Sequence, residues 1–281
     1  MRLVFLGTPD DAVPALRALH VAGHDLALVI TQPDRRRGRG AATAPSPVRA
    51  AADALDLPVR TPARAREVID EVGASGATLG VVVAFGQLLP EALLNALPDG
   101  FVNVHFSLLP RWRGAAPVER AILAGDIETG VCIMRVEADL DTGPVFAVRR
   151  TPIGTEDTAG DLRERLVTIG AELLVETVPR LAELQPVPQD GEATYADKLS
   201  VDEFRIDWSR PAAEIDRLVR AGNPRPGAWT TVDGRRLKVW RARRRDDGNL
   251  EPTEVQPDGK ARMSWDAWRR GHGASPSALG S

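Results

Sequence analysis

Two short apolar runs near the start, residues 3–6 and 26–30, constrain the fold more than any other feature of the chain. Each is continuous rather than alternating, as in a strand covered on both faces. Between them Gly7-Thr8-Pro9 turns the chain, and residues 14–19 continue a helix that stops at Gly23. Strand, helix, strand at this spacing is a βαβ unit, which implies a parallel sheet. Residues 79–84 are valine-rich and free of charge, Phe101-Val102 begins another apolar run, and residues 130–136 read as a further strand. Helices are expected over 48–55, 64–72 and 117–124, with a short apolar turn at 57–59. A long amphipathic helical stretch covers 158–184, with a kink at Pro179. The fold class is α/β with a Rossmann-like parallel sheet. Only one glycine occupies the first turn, so the three-glycine dinucleotide fingerprint is absent and neither NAD nor ATP is expected.

At 281 residues the chain can hold one large domain and a small one. Lys and Arg total 36 against 39 Asp and Glu, so any nucleic-acid partner must be met by local basic patches. The single cysteine, Cys132, excludes an internal disulfide framework and suits a reducing compartment. It sits in the apolar run 131–134 and reads as a small buried hydrophobe. The N-terminal apolar run is too short for a signal-peptide core, and no stretch approaches the roughly 20 apolar residues of a spanning helix. We expect a soluble, cytoplasmic monomer with no membrane partner. His20, His24, His105 and Cys132 show no metal-ligand spacing, so no metal is expected; His20 and His24 read as surface residues.

The chemistry concentrates in residues 103–117, Asn103-Val104-His105-Phe106-Ser107-Leu108-Leu109-Pro110-Arg111-Trp112-Arg113-Gly114-Ala115-Ala116-Pro117. Asn103 and His105 are two apart, so on a strand their side chains share a face. An amide donor beside an imidazole can hold a developing oxyanion and move a proton. Taken alone, such a pair is more often a hydrogen-bonded structural one. Downstream lies the turn Leu140-Asp141-Thr142-Gly143, whose Asp would ordinarily just bond its own backbone. Two loops complete the set. Residues 32–40 carry Arg35, Arg36, Arg37 and Arg39 among glycines, which reads as a solvated loop or as a way to reach phosphates. Phe85-Gly86-Gln87-Leu88-Leu89-Pro90 leaves the carboxyl end of a strand, where open α/β sheets bind ligands, or is an ordinary connection with a buried Phe.

The unbroken spelling of 107–117, with Asn103 and His105 before it and the Leu-Asp-Thr-Gly turn after it, resembles the signature of the formyltetrahydrofolate-dependent formyltransferases. That resemblance implies a catalytic set of Asn103, His105 and Asp141, with Asp141 orienting the imidazole; Asp139 is the neighbouring alternative. It implies that Ser107, Leu108, Leu109 and Pro110, with Phe85, Gln87 and Leu88, border a folate. The loop bearing Arg35, Arg36, Arg37 and Arg39 would enter the acceptor end of a tRNA. The implied reaction moves a formyl group from 10-formyltetrahydrofolate to the α-amino group of methionine on charged initiator tRNA, without a metal. The same residues could serve another amine, such as an amino sugar or glycinamide ribonucleotide, or hydrolyse the donor to formate. An answer of another class is a non-catalytic RNA- or folate-binding protein.

The expected organisation is a catalytic domain over 1–184, a linker over 185–205 and a second domain over 206–281. In the second domain Ser209 is a candidate cap for a helix over 212–219. Asp233-Gly234 between apolar runs signals a hairpin. The resemblance implies a small β-barrel of oligonucleotide-binding type, but after Arg241 the middle strands are missing or drastically shortened. A truncated barrel exposes sheet edges unless a rearrangement covers them. Trp265-Asp266-Ala267-Trp268 is expected to pack back as a short helix, and 271–281 to form a disordered tail.

Overall fold

The computed structural model describes residues 1–36, 43–245, 248–272 and 279–280. They pack as two compact units, one of residues 1–114, 129–151 and 164–195, the other of 115–128, 152–163 and 196–281.

The first unit is built on seven strands: β1 (Arg2–Gly7), β2 (Asp25–Ile30), β3 (Val59–Arg60), β4 (Leu79–Val83), β5 (Phe101–His105), β6 (Glu128–Arg135) and β7 (Val145–Pro152). Their order is β7-β6-β5-β4-β1-β2-β3. β1 pairs in parallel with both β2 and β4, β3 continues beside β2, and β5 runs parallel to β4. Only then does the direction change, where β6 joins β5 antiparallel. The chain therefore starts mid-sheet, builds outward one way and returns to build the other, leaving a switch point between β1 and β4.

Leu3, Val4, Phe5 and Leu6 of β1 are all fully buried, as a continuous apolar run requires when both sheet faces are covered. Helices α1 (Val13–Val21), α2 (Pro47–Asp53), α3 (Ile69–Ala74) and α4 (Glu91–Leu94) connect the parallel strands. One apolar cluster joins Val4, Leu6, Leu28, Ile30 and Phe101 to Val72 of α3 and Leu93 of α4. α2 starts at Ser46, whose Oγ accepts the Arg49 N–H at 3.0 Å and also meets Thr31 Oγ1 at 2.6 Å, tying the helix to the end of β2.

Several local expectations change. Residues 57–59, expected as a turn, lead into the edge strand β3, and residues 145–152, for which no strand is predicted, form β7. Both are edge strands, too short or too polar to show a buried run. The helix expected over 64–72 is a 3₁₀ turn, Ala65–Val68, followed by α3. The long amphipathic stretch is helical over Ala159–Thr177 and then tightens to a 3₁₀ turn, Val178–Arg180, because Pro179 cannot continue the ladder. His20 is exposed, but His24 is buried rather than on the surface, with Nδ1 3.3 Å from the N-terminal amine. Burial, with the adjacent amine charge, holds its pKa below the ordinary value.

Cys132 lies on β6, 1% exposed, where burial pushes the thiol up to about 11. At neutral pH it carries almost no thiolate, the reactive form. An alkylating reagent at pH 7 should leave the native protein unmodified while labelling the denatured chain once, as read by intact mass.

The second unit holds an antiparallel sheet of β8 (Ala228–Val232), β9 (Arg235–Arg244), β10 (Leu250–Pro257) and β11 (Met263–Ser264), in that order. Asp233 and Gly234 both take positive φ, 49° and 71°, as the expected two-residue hairpin turn demands. Before the sheet comes a helix, Ala212–Ala221, whose N-cap position is held by Pro211. Ser209 does not cap it; its hydroxyl donates to Asp207 Oδ1 at 2.6 Å, closing a turn one step earlier.

A final helix, Trp265–His272, supplies Trp265 and Trp268 to the core of Ile215, Val219, Leu237, Val239 and Val255. The two rings stack at 4.9 Å and are 2% and 3% exposed. The two indoles thus fill the core beside the four-stranded sheet. Of the expected tail, Gly271 and His272 belong to this helix, Leu279 packs on the same core, and Gly280 N–H donates to Thr231 O at 2.9 Å. Residues 273–278 and 281 lie outside the described ones.

Candidate active site

The parallel strands β1, β2, β4 and β5 end along one edge, at Gly7, Ile30, Val83 and His105. Backbone and side chains knot three of these ends together. Thr8 Oγ1 donates to Phe85 O at 3.0 Å, and Gln32 Nε2 donates to the same carbonyl at 2.9 Å. Ala84 and Gly86 flank that carbonyl with φ of 47° and 81°. A Cβ at Gly86 would come within 2.8 Å of Gln32 Nε2, so the loop needs glycine on both counts.

On β5, Asn103 stands in register with Val82 and with Met134, and His105 with Cys132. Asn103 is half-buried and His105 is 5% exposed. Pleating puts both on one face of the strand. The segment after β5 folds back on itself. Ser107 Oγ donates to Arg111 O at 2.5 Å, and Arg111 N–H to Leu108 O at 3.0 Å. The Leu109–Pro110 peptide is cis. Trp112 adopts φ 63°, its N–H donates to Thr194 Oγ1 at 2.9 Å, and its carbonyl meets His105 Nε2 at 2.9 Å.

Opposite the other ring nitrogen stands Asp141, with Oδ2 3.6 Å from His105 Nδ1. That is ion-pair range rather than a hydrogen bond. The same Oδ2 accepts the Gly114 N–H at 2.8 Å. The imidazole therefore sits between two acceptors. Nε2 donates to the Trp112 carbonyl, and a proton arriving at Nδ1 would face a carboxylate. Asp141, not Asp139, holds this place; Asp139 is exposed, and its carbonyl accepts from Thr142 Oγ1 at 3.3 Å.

The remaining expected residues divide by accessibility. Phe85 is buried within the apolar cluster, and the Ser107 hydroxyl is committed to its own turn. Gln87 braces the 63–65 backbone, accepting the Ala65 N–H at 2.8 Å and donating to Ala63 O at 3.4 Å. Leu108, Leu109 and Pro110 are partly exposed, and Leu88 is 71% exposed. Arg35 and Arg36 form a two-residue strand paired with Thr43–Ala44. Arg37 and Arg39 lie outside the described residues. No group of three metal-ligating side chains occurs among the described residues.

Contributors not among the expected site residues are Thr8, Gln32, Thr194, the Trp112 carbonyl within the signature and Gly143 within the Leu-Asp-Thr-Gly turn. A Cβ there would lie 2.0 Å from the Arg135 carbonyl oxygen, a backbone atom that cannot step aside. Gly143→Ala must shift the turn bearing Asp141, and misplacement of about 1 Å can cost about 10²-fold in rate. Turnover assays should show that loss with substrate KM values nearly unchanged.

Residues 1–178 match the formyl transferase family model, and residues 198–252 match that of the formyl transferase C-terminal domain. Among curated relatives, methionyl-tRNA formyltransferase of Ruegeria pomeroyi is 52% identical over 92% of this chain and 86% of its own length. The protein of the same name from a Jannaschia species is 44% identical over 99% of both chains. Among solved structures, the sugar 3N-formyl transferase WlaRD aligns with a TM-score of 0.67 at 18% identity, over 93% of this chain and 99% of its own. HypX from Aquifex aeolicus in complex with tetrahydrofolic acid aligns at 0.67 and 16% identity, over 96% of this chain and 47% of that one. At such identities these structures speak for the fold alone.

Proposed function

The chain belongs to the formyl transferase family, and from that membership we propose that it carries the formyl group of 10-formyltetrahydrofolate to the α-amino group of methionyl initiator tRNA, for translation initiation. The observation that carries this reading is near end-to-end similarity to relatives named for that reaction, joined to the placing of Asn103, His105 and Asp141 at one sheet edge. In the reaction the amine nitrogen bonds to the formyl carbon and the carbon–nitrogen bond to the folate breaks. The proton lost by the amine goes to the leaving folate nitrogen. Asn103 offers its amide N–H to the oxygen on which charge develops, and the charged His105 supports that oxyanion; the proton is taken up and released at Nδ1, opposite Asp141, because Nε2 donates to the Trp112 carbonyl. A donor to such an oxyanion is worth about 2.7–4 kcal/mol of barrier in comparable sites. Asp141 orients His105, stabilises the positive charge the ring takes up and assists the proton transfer.

In this reading Leu108, Leu109, Pro110 and Leu88 face the folate, and Ser107, Phe85 and Gln87 support that wall from behind, held in their own turn, the core and the 63–65 backbone. Arg35, Arg36, Arg37 and Arg39 meet the tRNA acceptor end. In this reading the catalytic domain spans 1–184 and the tRNA-binding domain 206–281, joined by 185–205; the family matches cover 1–178 and 198–252. We read the enzyme as a cytoplasmic monomer that needs no metal; no described helix is long and apolar enough to cross a membrane.

The test is formylation of charged initiator tRNA with 10-formyltetrahydrofolate, with free methionine and an amino sugar as parallel acceptors. Transfer to the charged tRNA alone is the expected result. Formate release with no acceptor product, or transfer to the sugar, would remove the tRNA assignment and leave the donor chemistry standing. No turnover of the donor would remove both.

A further inference from the structure

We infer that Gln189 is the positioning residue that sets the Asp141 carboxylate against His105. The inference rests on the reading of Asp141 given above. Asp141 has φ 52°, a left-handed conformation that aspartate tolerates better than most residues but that still costs more than an ordinary one, so contacts that grip the turn help keep it. Gln189 supplies that hold. Its Nε2 donates to Asp141 O and to Gly143 O, both at 2.8 Å, so one amide group grips both ends of the turn. Its Oε1 accepts from Arg113 Nε at 3.0 Å and Arg113 Nη2 at 2.6 Å. The next residue, Gly114, donates its N–H to Asp141 Oδ2 at 2.8 Å.

These contacts close a ring. The Asp141 main chain is tied through Gln189 to the Arg113 side chain, while its carboxylate is tied to the backbone one residue on. Gln189 is itself anchored two residues away, where Val187 and Val145 exchange N–H···O bonds at 2.8 and 2.9 Å. Only a primary amide presents two donors to carbonyls and an acceptor to a guanidinium at once. A carboxylate there would keep Arg113 but face the Asp141 and Gly143 carbonyls with no donor. Gln189 touches no reacting atom; it acts through Asp141, joining the Asp-Thr-Gly turn to the signature segment.

The experiment is steady-state formylation of charged initiator tRNA by Gln189→Ala and Gln189→Glu, each also in the Asp141→Asn background, with pH profiles of kcat. We expect Gln189→Ala to lower kcat about 10- to 100-fold, with both substrate KM values within about twofold of wild type. The acid limb of its kcat profile should move, because the carboxylate facing Nδ1 has moved. Gln189→Glu, nearly isosteric and keeping the Arg113 contact, should still fold, with its unfolding midpoint lowered only by the two lost hydrogen bonds, and should lose rate by more than that modest loss of stability explains. In the Asp141→Asn background the same Gln189→Ala change should cost less than about twofold, since the residue to be positioned is already disabled. A kcat within about twofold of wild type for both Gln189 variants, or an equal penalty in both backgrounds, would overturn the inference. If Asp141→Asn alone leaves kcat unchanged, the reading of Asp141 fails first. A severe Asp141→Asn beside mild Gln189 variants condemns Gln189 alone.

Discussion

Replacing His105 with alanine should lower kcat about 10²- to 10⁴-fold, the range that a positioned acid–base group contributes. The ring is 5% exposed and held at both nitrogens, by the Trp112 carbonyl at 2.9 Å and the Asp141 carboxylate at 3.6 Å. Its removal also leaves the Trp112 carbonyl without that donor and opens a cavity, so a loss of about 1–3 kcal/mol in unfolding free energy should accompany the kinetic defect. The two effects separate in His105→Gln. A glutamine can donate to the Trp112 carbonyl and fill most of the volume, but it cannot take up and release a proton near neutral pH. Stability should largely return while kcat stays low. Denaturant titration and single-turnover formylation of the same preparations measure the two quantities independently. If His105→Ala turned over within a few-fold of wild type, the residue would have no place in the chemistry.

The second large effect is on the smaller unit. Trp268→Ala should destabilise it by about 3–5 kcal/mol, the usual cost of truncating a buried tryptophan. Trp268 is 3% exposed, stacks on Trp265 at 4.9 Å and on His272 at 4.8 Å, and completes the core of Val239 and Val255. With only four strands in the sheet, little else is present to close that core. Unfolding monitored by tryptophan fluorescence should show an earlier transition, and the KM for charged tRNA should rise while folate binding is retained. Trp265→Phe is the informative control. Trp265 Nε1 is buried without a partner, so losing that N–H offsets part of the lost ring area, and we expect a change within about 1 kcal/mol. An unchanged transition in Trp268→Ala would mean that the terminal helix does not close the core.

How far the sequence reached depends on whether local chemistry or distant packing decided each feature. The runs at 3–6 and 26–30, with a helix pattern between them, pointed to buried parallel strands, and the Asp233-Gly234 hairpin needed only the positive φ that those residues tolerate. Strand β7 escaped notice because it lies at the sheet edge, where one exposed side erases the apolar signal. His24 read as a surface residue because burial beside the N-terminal amine depends on β2 lying next to β1, a fact of pairing rather than of local sequence.

The site divides the same way. That Asn103 and His105 share a face follows from the two-residue period of a strand, and it holds for any strand of that spelling. That Asp141, 36 positions after His105, stands 3.6 Å from the ring depends on β5, β6 and the turn after β6 being packed in one register. The Gln189 amide reaches that turn from 48 residues further along, and no periodicity links the two. Strand and turn chemistry, and the residue types able to hold an oxyanion and move a proton, could be read along the chain, because backbone preference and side-chain donors are local properties; that the group moved is a formyl came from the resemblance alone. Which carboxylate faces the imidazole, and what holds it there, emerges from the folded chain, because hydrogen bonds act over about 3 Å and folding must first bring such partners within reach.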